Sequence, residues 1–382
     1  MLVYADAAAT TRMSKAAMEI MMPYFRDFYG NPSSSHFVGS KSAEALAYAR
    51  AQIASCINAE PEEIYFTSGG SEADNQAIRS AAILGARKGK KHIISTAFEH
   101  HAVLHTLERL EKEGFEIQLL PVGEAGVVMA AQVEEAIRED TALVTVMLAN
   151  NEIGTVQPIK EIARVCRERD VLFHTDAVQA IGHIPVDVKE LGVDMLSASA
   201  HKFHGPKGVG FLYVRKGVPM LPMLYGGGQE RGMRSGTENL PGIAGMAAAL
   251  QEATQNLPIT VPKVTAMREK LIEGLSKIPG SILNGANAPR LPGIVNFCFD
   301  GDGETLVVLL SERGIMASSS SACNSGDRKP SHVLMAIGRS EDMAKSALRL
   351  SIDETNTEEE IDYILKVVPE CVSYLRKISP RG

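Results

Sequence analysis

No two cysteines in this chain are spaced as CxxC, and their number is odd: Cys56, Cys166, Cys298, Cys323 and Cys371. That disfavours both a disulfide framework and a structural zinc site, and it fits a reducing compartment. No apolar run reaches the roughly 20 residues that a helix needs to cross a bilayer. The opening MLVYADAAATT carries an early acid and has no basic stretch ahead of an apolar core, unlike a secretory leader. The expected address is the cytoplasm. Lys and Arg are scattered, and the formal net charge is −7. Neither nucleic acid nor a membrane is therefore the expected partner. No internal repeat and no long low-complexity tract occurs.

What is present is a globular composition. The chain has 382 residues, 45% of them apolar. That length suits two or three domains, or one large domain with a smaller one attached. An amphipathic helix is expected over 40–58, then strands and helices in alternation. Strands are read at 63–68, 92–97, 115–121, 142–149, 171–177, 195–199 and 209–214. Helices are read from 71, near 100–113 and over 158–169. Short apolar strands separated by helices mean a mainly parallel sheet covered on both faces. The pattern loosens near residue 258 (LPITVP), which reads as a linker. A helix at 261–278, strands at 293–299 and 348–352 and a helix at 303–313 follow. A last helix starts at Thr357, whose spacing to Glu360 is that of a capping box, and Pro369 is expected to kink it.

Three places carry candidate chemistry. Ser68-Gly69-Gly70-Ser71-Glu72 ends a strand and opens a helix. Helix N-terminal N–H groups lack partners and favour anions, so Gly70 and Ser71 form a candidate phosphate cradle. Alone, such a turn is more often an ordinary capped helix. Asp176 follows the strand VLFHT; an acid there can face a ligand crevice or simply cap a helix. Ser199-Ala200-His201-Lys202 ends another strand, and a buried lysine amine can form a Schiff base. Taken in order, a phosphate cradle, an acid and a lysine are the parts that pyridoxal 5′-phosphate (PLP) requires.

The chain resembles the cysteine desulfurases of the NifS/IscS type, within the fold-type I PLP enzymes. The stretches DAAATT, GNPSSSH, FTSGGSEADN, EHHAVL, NNEIG, HTDAVQ, SASAHKFHGPKG, RSGTEN, SSSSACNSG and TEEEID carry the resemblance almost from end to end. It implies a large domain (13–257) with a seven-stranded, mainly parallel sheet. A smaller α/β domain (1–12 and 258–382) holds the cysteine loop. It implies that Lys202 carries PLP, that Asp176 pairs with the pyridine nitrogen and that Gln179 bonds the phenolic oxygen. His100 stacks on the ring and helps to move protons. Gly70, Ser71, Ser199 and His201 hold the phosphate, and Thr237 reaches the phosphate of a partner subunit in a homodimer. Asn151 and Arg349 orient the substrate carboxylate, Asn151 also lying against the cofactor. Glu99, His101 and His204 are supporting residues.

Cys323, in Ser318-Ser319-Ser320-Ser321-Ala322-Cys323-Asn324-Ser325-Gly326, is the expected nucleophile. A short polar stretch of this kind is expected to be exposed and mobile, whereas the other cysteines fall in patterned elements and read as core thiols. The implied reaction takes sulfur from L-cysteine, releases L-alanine and leaves a persulfide on Cys323. An iron–sulfur scaffold protein or another acceptor then takes the sulfur. No resident metal is expected, with transient iron–sulfur ligation by Cys323 the one exception considered. The alternatives are a selenocysteine lyase or an aminotransferase on the same scaffold. A non-enzymatic iron–sulfur or metal carrier is disfavoured by the cysteine spacing. Two stretches depart from the family pattern. The cysteine loop has Ser320 where Gly is usual, and LSIDETNTEEEID follows Arg349 where a Gly-Arg before the final helix is usual. Some members also continue past the equivalent of LRKISPRG into a tail that docks a scaffold.

Overall fold

The structure, a computed structural model, describes residues 1–319 and 330–378. Cys323 therefore lies outside the described residues. The chain opens on a short strand, β1 (Val3–Tyr4). Seven strands then build the main sheet: β2 (Ile64–Thr67), β3 (His92–Thr96), β4 (Glu116–Leu120), β5 (Thr141–Thr145), β6 (Leu172–Asp176), β7 (Met195–Ser199) and β8 (Gly210–Val214). Their spatial order is β2-β8-β7-β6-β5-β3-β4. β8 runs antiparallel to both neighbours, and the other pairings are parallel. This is the mainly parallel, seven-stranded α/β sheet that was expected.

Successive strand residues point to opposite faces, and both faces are buried. Ile93, Leu143, Met195 and Leu212 join one core with Ile78 and Leu107. Their chain neighbours Ile94, Val144, Leu196 and Phe211 join another with Ile53 and Ile243. That is why the strands read as unbroken apolar runs and not as alternating ones.

A second group of strands follows: β9 (Ile282–Leu283), β10 (Ile294–Cys298), β11 (Ile315–Met316), β12 (Ser318–Ser319) and β13 (Ala347–Ser351). β12-β13-β10-β9 form an antiparallel sheet. β1 pairs in parallel with β11 and brings the N-terminus to this side. A separate apolar core, including Met267, Leu271, Phe297, Leu350 and Ile364, lies here.

The structure corrects several expectations. No linker occurs at 258: one helix runs from Leu240 to Leu275 with Pro258 and Pro262 inside it. Its first half packs into the main core through Ile243, Met246 and Leu250. Its second half packs into the other core through Val264, Met267 and Leu271. The stretch between is largely exposed, with Ile259 72% accessible. An interior proline costs a helix about 3 kcal/mol; here burial of the helix in both cores offsets the loss. The strand expected over 142–149 stops at Thr145, because the next residues turn to line the site. Ser318 and Ser319, read as the start of a mobile loop, are paired to Arg349 and Leu348 in the small sheet. Cys166, Cys298 and Cys371 are buried as expected, but Cys56 is only half-buried.

The capping box forms as read, with the Glu360 N–H donating to Thr357 Oγ1 at 3.3 Å and the Thr357 N–H to Glu360 Oε2 at 3.1 Å. Among the described residues no helix is long and apolar enough to cross a membrane.

His204 ties the two sides together through Glu354 and Asp353. His204 Nε2 lies 3.1 Å from Glu354 Oε1, and His204 Nδ1 lies 2.9 Å from the Arg12 carbonyl oxygen. Burial lowers the pKa of His204, but the hydrogen bond and charge of Glu354, with the charge of Asp353, outweigh it and push it up to about 9. A histidine raised in the folded state stabilises fully below its unfolded pKa of about 6.5, and that stabilisation is lost as pH rises through about 9. Thermal unfolding of the wild type is therefore expected to weaken from pH 7 to 10. A His204→Gln variant is expected to lack that part of the slope and to lose about 2 kcal/mol near pH 7.

Candidate active site

Open α/β sheets bind ligands beyond the C-terminal ends of their strands. The segments after β2, β3, β5, β6 and β7 meet there around a cavity of about 510 Å³.

One end of the cavity is built for an anion. β2 ends at Thr67, and the helix Gly70–Ala86 starts three residues later. Gly69 has φ +150° and caps this helix without a side-chain hydrogen bond, so first-turn N–H groups stay open toward the cavity. A Cβ on Gly70 would stand 2.5 Å from Val178 Cγ2. Only glycine fits there. Ser71, Ser199 and His201 also line the cavity. Burial, with the charges of Lys202 and Lys207, brings the pKa of His201 down to about 4, so its ring is neutral. Glu72 braces the turn from behind, accepting the Ser68 N–H at 2.8 Å and the Arg234 Nε–H at 2.8 Å.

The middle of the cavity holds acids. Asp176 ends β6, and its Oδ1 accepts the Val178 N–H at 2.9 Å. Asp74, one turn after the glycine cradle, lines the same cavity. Burial pushes both carboxyls up, and Asp176 pushes Asp74 further because two like charges resist ionising together. Among the described residues Asp74 Oδ1 is buried without a hydrogen-bond partner, with His174 Nε2 3.6 Å away. Sequence reading passed over Asp74, although its place four residues after Gly70 puts it on the cradle's helix face.

His100 caps the helix His101–Lys112, and its Nδ1 accepts the Ala102 N–H at 3.1 Å. Burial, with the charge of Lys202, lowers its pKa to about 4. The ring is therefore neutral with its proton on Nε2. Glu99 is fully buried, accepts the Met147 N–H at 3.0 Å and has its pKa raised by burial to about 8. It ties the segment after β3 to Met147, which lines the cavity.

Lys202 follows β7. Its Nζ donates to the carbonyl oxygens of Ala8 at 2.5 Å and Ala9 at 3.0 Å. Gln179 Nε2 donates to the same Ala8 oxygen at 3.0 Å. The N-terminal segment thus threads through the site, a feature that the sequence showed only as an unassigned DAAATT. Arg349, on β13, is 6% exposed. Its Nη1 donates to the Asn151 carbonyl oxygen at 3.0 Å and its Nη2 to Asp6 Oδ1 at 3.0 Å, while its Nε is buried without a partner among the described residues.

Every expected site residue among those described lines this one cavity, with one exception. Thr237 lies in a separate hollow with Ser68, Gly208 and Arg234, and is exposed. Met147, Asp6 and Ser318 line the cavity as well and were not anticipated.

The pattern of the aminotransferase class-V family matches residues 3–364. The chain is 50% identical to the cysteine desulfurase IscS of Methanosarcina thermophila over 379 residues, which is 99% of this chain and 94% of that protein. It is 49% identical to the cysteine desulfurase IscS of Clostridium botulinum over 382 residues, 99% of this chain and 96% of that one. Among solved structures, a NifS-like protein superposes with a TM-score of 0.92 at 42% identity, covering 98% of this chain and all of that one. SspA in complex with cysteine superposes at 0.82 with 38% identity, covering 92% and 98%. The chain belongs to the class-V aminotransferase family. It is a fold-type I enzyme, and its cofactor is PLP.

The residues fit that cofactor. The glycine cradle is cut for a phosphate. The buried Asp176–Asp74 pair calls for a cationic partner, which a protonated pyridine nitrogen supplies. Asp74 Oδ1 is an orphan that such a ring would help to satisfy.

Proposed function

We infer that this chain is a cysteine desulfurase that takes sulfur from L-cysteine, releases L-alanine and holds the sulfur as a persulfide on Cys323. One observation carries the reading: Lys202, Asp176, His100, the Gly70–Ser71 cradle and the carboxylate-seeking Arg349 share one cavity. When bound, PLP withdraws electrons from the substrate's α-carbon, which lets the bonds around it break. The protein's own groups do the rest. Gly70, Ser71, Ser199 and His201 hold the phosphate, Asp176 keeps the ring nitrogen protonated, and Gln179 sets the phenolic edge. Lys202 would hold the cofactor covalently through its amine. His100, a neutral imidazole, would meet the ring from the cavity wall and offer its Nε2–H, since Nδ1 is occupied by the Ala102 N–H. Arg349, with Asn151, takes the substrate carboxylate. Cys323 attacks the substrate sulfur as a thiolate; the carbon–sulfur bond breaks, and its electron pair stays with the carbon fragment, which takes up a proton and leaves as alanine.

The active unit is a homodimer, with Thr237 serving the neighbouring subunit's phosphate. The exposed Met18, Met22, Phe25, Phe28 and Tyr29 in and after the helix Lys15–Arg26 form an apolar surface of the kind a second copy covers. The chain divides into a large unit of 13–257 and a smaller one of 1–12 with 258–382; the second core, drawn wholly from 1–12 and 258–382, supports the smaller unit, while Ala8, Leu291, Ile294 and Val333 pack into the core of the larger one. The acceptor of the sulfur is an iron–sulfur scaffold or another thiolated protein, in the cytoplasm.

The holoenzyme given L-cysteine and a thiol reductant is expected to release alanine and sulfide in equal amounts, from a particle of two chains by sedimentation. Pyruvate or a keto acid in place of alanine would instead assign an elimination or an amino transfer, and a fully active monomer would remove the role of Thr237.

A further inference from the structure

The substrate arginine already holds a carboxylate. Asp6 Oδ1 accepts Arg349 Nη2–H at 3.0 Å and, with the same oxygen, the Ser318 hydroxyl at 2.8 Å. Asp6, Ser318 and Arg349 all line the cavity with Lys202. Backbone pairing fixes their meeting: Ser318 lies opposite Arg349 across β12 and β13, and Asp6 bridges to Ser351 two residues along β13. A guanidinium has five N–H donors. Here one bond goes to Asn151 and one to Asp6, and the buried Nε–H has no partner among the described residues.

We propose that Asp6 is a specificity and positioning residue, a built-in competitor that occupies Arg349 until the substrate's α-carboxylate arrives. The proposal rests on the reading that Arg349 takes that carboxylate. One guanidinium cannot neutralise two carboxylates at once, so the incoming group meets a like charge a few ångströms away. Asp6 therefore weakens carboxylate binding. Because one oxygen serves both partners, a shift of Asp6 away from Arg349 is also a shift relative to Ser318, which stands just ahead of the segment that carries Cys323. Substrate arrival at the arginine is in this way felt at the base of that segment. A mere prop for Arg349 would behave oppositely, since removing a prop weakens substrate binding.

The sign of the effect tests the idea. The holoenzyme's visible band is titrated with L-alanine, the reaction's own product, which has no sulfur to give up, and with ethylamine, the same molecule without the carboxylate. Asp6→Asn is expected to tighten L-alanine about three- to tenfold and to leave ethylamine unchanged, with the KM for L-cysteine falling in parallel. Asp6→Glu is expected to return both towards wild type. Ser318→Ala, which leaves the Asp6 carboxylate to Arg349 alone, is expected to weaken L-alanine about twofold. A purely structural role would make both substitutions weaken it. L-alanine binding that is unchanged or weaker in folded Asp6→Asn overturns the proposal, as does tighter binding in Ser318→Ala. Arg349→Ala separates the two levels. If it leaves L-alanine binding unaltered, the assignment of Arg349 is wrong. If it weakens L-alanine while Asp6→Asn fails to tighten it, only the role of Asp6 falls.

Discussion

Lys202→Ala is expected to lower alanine release from L-cysteine by at least about 10³-fold, because covalent attachment and proton handling at one amine are both lost. The lysine follows β7, and its amine is held at 2.5 and 3.0 Å by the carbonyl oxygens of Ala8 and Ala9. Among the described residues no other lysine lines the main cavity. The variant is expected to keep PLP through its phosphate, since the cradle at Gly70 and Ser71 does not use the lysine. The wild-type visible band, which borohydride bleaches into a permanently labelled protein, is expected to become one that borohydride no longer fixes to the chain. Peptide mapping after reduction checks this directly, with the label on the Lys202 peptide of the wild type and nowhere in the variant. Wild-type turnover by Lys202→Ala would remove the assignment.

Cys323→Ser is expected to separate sulfur chemistry from everything before it. Fold, colour and the spectral response to L-cysteine do not use the thiol and are expected to persist. Alanine release is expected to fall by about 10³-fold or more, because a serine hydroxyl at neutral pH is a poor nucleophile toward sulfur, whereas a thiolate is a good one. Competition from the other described cysteines is weak on physical grounds. Burial pushes the Cys166 thiol far up, and it raises Cys56, Cys298 and Cys371 as well. Mass spectrometry after exposure to L-cysteine is expected to place one extra sulfur on the Cys323 peptide. Extra sulfur on Cys56, the half-buried thiol, would move the nucleophile elsewhere.

Local pattern is legible where neighbours in sequence are also neighbours in space. The strands and helices of the main sheet came through because an apolar run bounded by turn residues has few other ways to bury itself. The capping box at Thr357 is local in the same sense. Residues 258–262 misled for the complementary reason: two prolines and a loosened pattern are local signals, but the helix through them is held by two cores far apart in sequence. At the site, Asp176 and Lys202 could be picked out because one ends a strand and the other follows one within three residues. Asp74 could not, since an aspartate inside a helix looks solvated until Asp176 is placed beside it.

The sequence by itself determined the class of this protein: the order of cradle, acid and lysine, and the long stretches that match one family, leave little room for another chemistry. Only the tertiary structure decided what surrounds those groups. Asp6 and Arg349 are 343 residues apart, yet share a hydrogen bond. The carbonyls that hold Lys202 come from residues nearly two hundred positions earlier. His204 finds Glu354 across the gap between the two cores. Such partners are chosen by how sheets pack and where the N-terminal strand returns, and no local preference of the residues involved encodes that choice. The same holds for charge: a carboxyl or imidazole takes its ionisation state from burial and from the groups folded against it. The neutrality of His100 and the mutual repulsion of Asp74 and Asp176 are therefore properties of the fold.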